Sequence, residues 1–182
     1  MENNERLLGI AHWRWSLLSN VITVLGALSV VFAVYQYSAT IEANRAEKTL
    51  EMIVEWRDAG YRADFLSLRQ SLMTTIEEMS ADGRSAERRR DDIVSRSLAR
   101  DGVDSAFDNV IYYFNLLGLC VEANLCSDET ARVFFDDTLE NFLQFFGPEI
   151  IARRDALPGY GEGVDCLARA FRLEGFRRAS CG

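Results

Sequence analysis

Residues 15–41 read WSLLSNVITVLGALSVVFAVYQYSATI, and no side chain in this stretch is charged. About 20 apolar residues are enough for a helix to cross the hydrocarbon core of a bilayer. Trp15 precedes the apolar centre, and Tyr35 and Tyr37 follow it, as is typical of helices whose two ends lie at membrane interfaces. The stretch therefore predicts one transmembrane helix, which we place at residues 15–38.

Two other interpretations of this stretch are open. A cleaved signal peptide would have a shorter apolar segment followed by a small-x-small cleavage site, and the only candidate site lies around Ser38, Ala39 and Thr40. A buried helix of a globular core would show a polar face, which residues 13–38 lack. Both fit the pattern less well than a membrane anchor.

The rest of the chain is predicted to be all-α. Apolar residues recur every three or four positions from Leu50 to Met79, the period of a helix in a globular domain, and Gly60 marks a kink or a joint. No turn signal separates Tyr37 from Leu50, so we expect the anchor to continue into this helix. The expected organisation is an N-terminal tail (1–14), a transmembrane helix (15–38), a stalk helix or helix pair (39–80) and a helical bundle (81–182).

The bundle is predicted to contain three strongly marked helices. An amphipathic helix is expected over residues 103–121, and Ser127 is a suitable N-cap for the aromatic helix that follows it. We expect Gly147 and Pro148 to break or kink that aromatic helix. A last helix is expected at about residues 164–178.

Composition argues against several classes of function. The net charge of −8 opposes general nucleic-acid binding, which needs a basic surface. His12, the sole histidine, precedes the span, and no Cys-x-x-Cys pair occurs, so His-dependent hydrolases and Cys/His zinc sites lack their residues. Nucleophile-elbow, phosphate-loop and dinucleotide motifs are missing as well. We therefore expect a protein without enzymatic activity, cofactor or metal.

Some carboxylates share a helix face and could bind a cation. They are Asp104 with Asp108, and Asp136 and Asp137 with Glu140. A di-iron bundle would also need Glu-x-x-His pairs, and no histidine follows the span. These carboxylates therefore do not change the expectation of a non-catalytic protein.

The cysteines bear on the side of the membrane that the domain faces. They are Cys120, Cys126, Cys166 and Cys181. Because their spacing shows no pairing pattern, we expect core thiols in a reducing compartment, and a disulfide only if the domain lies outside. Basic residues flank the span equally, so the positive-inside rule does not set the orientation. The expected location is the bacterial inner membrane, with the C-terminal domain in the cytoplasm.

The predicted span carries polar and small residues that suggest association of several copies. Ser19, Thr23 and Ala27 form a small-xxx-small pattern, which lets two helices approach closely. A monomeric anchor that tolerates small residues is the alternative. In an oligomer, the polar side chains of Asn20, Thr23 and Gln36 could line a narrow pore.

Two further sets of residues are candidates for binding. Arginines that follow the Ser80–Gly83 loop could hold an anionic ligand such as a nucleotide or a lipid headgroup, or could form a solvated, self-neutralising helix face. They are Arg84, Arg88, Arg89, Arg90, Arg96 and Arg100.

One predicted helix carries more phenylalanines than a single apolar face of a helix can hold. These side chains belong either to the core or to an interface with another subunit. They are Phe134, Phe135, Phe142, Phe145 and Phe146.

Three segments carry a resemblance to a known family. They are Glu47-Lys-Thr-Leu-Glu with Glu55-Trp-Arg57, Tyr112-Tyr-Phe-Asn-Leu-Leu-Gly-Leu119, and Glu122-Ala-Asn-Leu-Cys-Ser-Asp128. With the single span before them, they resemble a family of uncharacterised bacterial single-pass membrane proteins with a C-terminal helical domain of unknown function, over about residues 16–155. The resemblance implies the fold and membrane attachment, and no catalytic residue. The layout is also similar to that of small membrane effectors of antiphage systems.

Two hypotheses of function follow. The first is a membrane-anchored, homo-oligomeric helical module for interaction or sensing, without catalysis, whose partners are membrane lipid, further copies of itself and an unidentified protein. The second is a ligand-gated pore, an effector of antiphage defence or of a stress response, that depolarises the inner membrane.

Overall fold

Helices form nearly all of the described structure. The computed structural model describes the backbone of residues 6–7, 10–79 and 86–173, and the side chains of residues 20–79 and 90–173. In chain order its elements are β1 (Arg6–Leu7), β2 (Ile10–Ala11), α1 (His12–Asp58), α2 (Tyr61–Met79), α3 (Ala86–Leu98), α4 (Val103–Glu122), α5 (Asp128–Ala156) and α6 (Glu162–Ala170). The two short strands pair antiparallel, and the all-α prediction is confirmed. The chain divides into two compact units, residues 1–44 and residues 45–182.

The first unit contains an apolar helical segment with exposed side chains. From residue 20 to residue 44 every side chain is exposed. The hydroxyl of Ser29 donates a hydrogen bond to the carbonyl oxygen of Leu25 at 2.8 Å, so this polar group is satisfied within its own helix. Among the described residues, one helix, α1, is long and apolar enough to cross a membrane.

The second unit is built around aromatic side chains. Trp56 of α1, only 8% exposed, lies with its ring centroid 4.7 Å from that of Tyr113 and 5.4 Å from that of Phe114, both on α4. The ring of Phe135 on α5 meets it edge-on at 5.6 Å. These distances and tilts are those at which aromatic pairs attract each other. One tryptophan thus joins three helices.

The boundary of the bundle differs from the expected one at residue 80. Trp56 of α1 and Leu68 and Leu72 of α2 lie in the same core as α4 and α5, so residues 45–79 are part of the bundle rather than a separate stalk. The physical reason is the apolar face of these helices, whose period of about 3.6 residues requires a partner. The aromatic rings of α4 and α5 supply that partner.

Local signals in the sequence locate two helix ends correctly. Gly60 adopts φ 95° between α1 and α2, a conformation that favours glycine, and it forms the expected joint. Ser127 caps α5, and its hydroxyl oxygen accepts a hydrogen bond from the Thr130 backbone N–H at 3.2 Å. The Ser80–Gly83 loop lies outside the described residues.

Two expectations about the C-terminal helices are corrected: a break of the aromatic helix at Gly147 and Pro148, and an end of the last helix near residue 178. α5 continues through Gly147 and Pro148 to Ala156, because Phe146 and Ile150 are buried on either side of the proline and hold both halves against the core. α6 ends at Ala170 rather than near residue 178. Arg172 then adopts a left-handed φ of 62°, which ends a helix.

α4 and α6 cross at two glycines. A Cβ atom on Gly118 would lie 1.7 Å from the carbonyl oxygen of Gly163, and a Cβ atom on Gly163 would lie 2.2 Å from that of Asn115. The amide side-chain oxygen of Asn115 accepts a hydrogen bond from the Gly163 N–H at 2.7 Å. The two backbones can therefore approach this closely only because both positions lack a side chain.

Replacing Gly118 with alanine is expected to destabilise the protein, because the added methyl group meets backbone atoms that cannot rotate away. Overpacking of this kind costs about 1–3 kcal/mol. Thermal unfolding of the detergent-solubilised full chain measures the loss. Gly26→Ala is the matched control, since a Cβ there meets nothing within 4 Å, and equal melting temperatures for the two variants would contradict the crossing.

Candidate functional site

The segment between α4 and α5 is closed by a disulfide. Cys120 in the last turn of α4 is bonded to Cys126, with the Cα atoms 5.2 Å apart. Within the loop, the backbone N–H groups of Leu125 and Cys126 both donate to the Cys120 carbonyl oxygen, at 3.0 and 3.1 Å. Asn124 adopts φ 57°, which asparagine tolerates better than most residues. We call residues 120–127 the cystine turn.

The C-terminal part of α1 is bonded to the cystine turn by polar groups. The Arg45 guanidinium donates to the side-chain oxygen of Asn124 at 3.1 Å and to the carbonyl oxygen of Cys126 at 3.3 Å. The Ser127 backbone N–H donates to the hydroxyl of Thr49 at 2.8 Å, and Thr49 is fully buried. A buried hydroxyl that is bonded in this way fixes the register of α1 against the turn.

A tyrosine extends this contact into the core. The Tyr113 hydroxyl donates to the carbonyl oxygen of Met52 at 3.0 Å, and the Cys126 sulfur lies 3.6 Å from the Met52 sulfur. Burial, with a further effect of the Glu55 carboxylate, raises the pKa of Tyr113 well above its ordinary value, so the phenol stays protonated and can donate. Residues 45–56 and the cystine turn therefore form one continuous contact.

The cysteines correct a prediction. Core thiols were expected, but Cys120 and Cys126 form a disulfide, and Cys166 is disulfide-bonded as well. The sequence spacing matches no pairing motif, and only the reversal of the chain between α4 and α5 brings the two sulfurs of the cystine turn together. Cys181 lies outside the described residues.

A second polar cluster surrounds Arg153 on α5. Its guanidinium donates to Asp108 at 2.8 Å and to Glu149 at 2.9 Å, and also to Asp104. It stacks on the Phe107 ring, 4.6 Å from the centroid. From the sequence, Asp104 and Asp108 were candidates for binding a cation. In the structure their carboxylates bind the guanidinium of Arg153. Although burial opposes it, hydrogen bonds with Glu149 and Asp104 raise the pKa of Arg153.

Residues 23–160 match the family described as a domain of unknown function (DUF4760). The chain belongs to this family. Neither a curated protein nor a solved structure matches it. The expected resemblance to an uncharacterised family is thereby confirmed. The family domain spans the apolar part of α1, the cystine turn and Arg153, and it ends before α6 begins at Glu162.

Two of the residues expected to mediate association, Thr23 and Ala27, lie on one face of α1. Thr23 and Ala27, both exposed, are separated by four residues and therefore by about 40° around the helix, at about 100° per residue. The side chain of Ser19 lies outside the described ones. Asn20 and Thr23 are about 60° apart, whereas Gln36 is about 160° from Asn20. Asn20 and Gln36 therefore do not share a face.

The arginine-rich segment is only partly described. Arg90 lies 4.0 Å from Asp91 and Arg100 lies 2.7 Å from Glu78, so these two cations have acidic neighbours, while Arg96 is exposed. Arg84 lies outside the described residues, and so do the side chains of Arg88 and Arg89. The described arginines do not converge on a common site.

The phenylalanines of α5 have different surroundings. Phe135, Phe142 and Phe146 are buried in the core, and Phe145 lines a cleft of about 290 Å³ beside α2. Phe134 is 52% exposed. The interface hypothesis is therefore reduced to Phe134 and to its neighbours on the surface.

Phe134, one of the candidate interface residues, lies beside residues of α1 that the sequence did not indicate. With Ile53 and Val54 of α1 it lines a shallow depression, and Val54 is 47% exposed. Val133, next to it on α5, is 79% exposed. Sequence reasoning did not single out Val54, because it lies outside the periodic apolar pattern of this helix.

Asp136 and Asp137, the remaining candidate acidic pair, differ in exposure. Asp137 is exposed, and its carbonyl oxygen accepts a hydrogen bond from the Asn141 side chain at 2.6 Å. Asp136 is partly buried. No group of His, Cys, Asp and Glu side chains within the described residues is placed to hold a metal ion.

Replacing Tyr113 with phenylalanine is expected to weaken the contact between α1 and α4, because the carbonyl oxygen of Met52 loses its phenol donor while the ring remains. Loss of such a hydrogen bond costs about 0.5–1.5 kcal/mol. Urea unfolding of the full chain in detergent measures the change. Tyr112→Phe is the matched control because Tyr112 is 56% exposed, and equal effects at both positions would contradict the buried bond.

Proposed function

We propose that the protein is a non-catalytic, homo-oligomeric helical interaction module anchored in the bacterial inner membrane. The observation that carries the proposal is the apolar segment of α1, where every side chain from residue 20 to residue 44 is exposed. Exposed apolar surface costs about 25 cal/mol per Å² in water, and a bilayer removes this cost. The helical unit of residues 45–182 is then the part that meets other molecules.

Self-association is supported by the small residues of the same helix. Thr23 and Ala27 share a face, and neither presents a side chain larger than threonine. In a bilayer, helices associate through close packing and interhelical hydrogen bonds, and this face permits both. The partners of the module are membrane lipid and further copies of the chain.

A surface for a protein partner is available in the second unit. Val54, Val133 and Phe134 expose apolar side chains from α1 and α5. Exposed aromatic and aliphatic groups of this kind are typical of interaction surfaces. Binding there would require neither cofactor nor metal.

Replacing Thr23 and Ala27 together with leucine is expected to weaken self-association, because the larger side chains keep the two helices apart. Cross-linking in native membranes and mass measurement in detergent report the size of the oligomer. Ala33→Leu is the control, since it adds the same volume as Ala27→Leu about 120° around the helix from Ala27. An oligomer unchanged by the double substitution would refute the packing face.

A gated pore is the second candidate, an effector of defence or stress whose trigger is held by residues 84–100. It is favoured by the polar side chains of Asn20 and Thr23, which lie near each other on the apolar helix. In an oligomer they could line a conducting path, whereas Gln36 would face away from it.

The pore hypothesis predicts that overexpression depolarises the inner membrane and that Asn20→Leu removes this effect by taking a polar group from the path. A voltage-sensitive dye follows the membrane potential. Gln36→Leu is the matched control and should leave the depolarisation unchanged. A steady potential at high expression of the unaltered chain would count against a pore.

A further inference from the structure

The cysteines bear on the side of the membrane that the helical unit faces. The three cysteines with described side chains are Cys120, Cys126 and Cys166, and all three are disulfide-bonded. Disulfides form and persist in oxidising compartments, whereas the cytosol keeps most thiols reduced. Oxidation at two separate places in one domain therefore favours the outer side.

A disulfide in the cytosol would have to be a reactive one. The disulfides of this chain instead have the surroundings of structural disulfides. Exchange requires a thiolate to reach a disulfide sulfur. Cys126 is 0% exposed and Cys166 is 3% exposed, while Cys120 is partly buried. The Cys126 sulfur is covered by Met52, whose own sulfur lies 3.6 Å away.

The fold also uses the oxidised form of the cystine turn. The disulfide holds Cys126 where its carbonyl oxygen accepts from Arg45 at 3.3 Å. The next backbone N–H, that of Ser127, donates to the buried hydroxyl of Thr49 at 2.8 Å. The bond thus supports the contact through which α1 is held in the core.

We propose that residues 45–173 lie on the outer, oxidising side of the membrane, with the amino-terminal end of α1 on the cytoplasmic side, and that the Cys120–Cys126 disulfide forms there. The proposal rests on the membrane anchoring proposed above. This orientation replaces the expected cytoplasmic one, which was inferred because the cysteines were expected to be free thiols. The flanking charges do not oppose it, since Arg6 and Arg14 on one side balance Arg45 and Lys48 on the other.

The orientation restricts the partners of the module. Its apolar surface around Phe134 would meet proteins of the cell envelope rather than cytosolic ones. A trigger for the pore would likewise arrive from outside the cytoplasm, which makes a cytosolic nucleotide an unsuitable ligand for the arginine-rich segment.

Reporter fusions to the C-terminus of the full chain test the orientation in bacterial cells. Alkaline phosphatase becomes active only after export, and an ordinary green fluorescent protein fluoresces only when it stays in the cytoplasm. We expect an active phosphatase fusion and a dark fluorescent fusion. The converse pair of results would overturn the proposal. The fluorescent protein fused to the N-terminus is the control and should be bright.

Fractionation separates this inference from the proposed function. A chain that remains in the soluble fraction would refute the anchoring itself. A membrane-bound chain with a bright C-terminal fluorescent protein would refute the orientation alone.

Thiol trapping tests the chemistry. Cells are lysed directly into denaturant that contains N-ethylmaleimide, so that buried thiols also react, and alkylated peptides are identified by mass spectrometry with and without prior reduction. Cys120 and Cys126 are expected to be labelled only after reduction, and in a Cys120→Ser variant Cys126 is expected to be labelled without reduction once the protein is denatured. Full labelling of both in the unaltered chain without reduction would overturn the proposal.

Discussion

The packing of Trp56 is the interaction on which the rest of the helical unit depends. Its ring lies on α1 and touches Tyr113 and Phe114 of α4 and Phe135 of α5. Because α1 presents one apolar stripe to the bundle, the large surface of this ring supplies much of the burial that holds the helix there. The helix that carries the exposed apolar segment is thereby also a helix of the core.

Polar contacts give this packing its register. Aromatic burial is largely non-directional, so it would tolerate a helix displaced along its axis. The bonds of Thr49 with Ser127 and of Tyr113 with Met52 are directional and buried, and they are satisfied in one position only. The disulfide of the cystine turn holds the backbone of Cys126 and Ser127 in position for their bonds with α1. The interaction module proposed above would need such a fixed arrangement.

The candidate site could be predicted from the sequence only in part. The small residues of the span and the phenylalanines of α5 were visible as patterns, but which phenylalanine is exposed was not, because the neighbouring helices decide it. Phe134 and Phe135 are adjacent in the chain, yet one is 52% exposed and the other is 3% exposed. Arg153 gave no signal either, since its acidic partners Asp104 and Asp108 lie 49 and 45 residues away in sequence.

The sequence by itself determined the features that depend on a few neighbouring residues. These are the uncharged span, the helical periods, the joint at Gly60 and the cap at Ser127, all of which arise from local backbone and solvation preferences. Only the tertiary structure decided the disulfide of Cys120 and Cys126, the inclusion of residues 45–79 in the bundle and the continuation of α5 through Pro148. Each of these depends on side chains that are distant in sequence and come together only when the chain folds. The free energy gained by burying them outweighs the local conformational preference of the backbone.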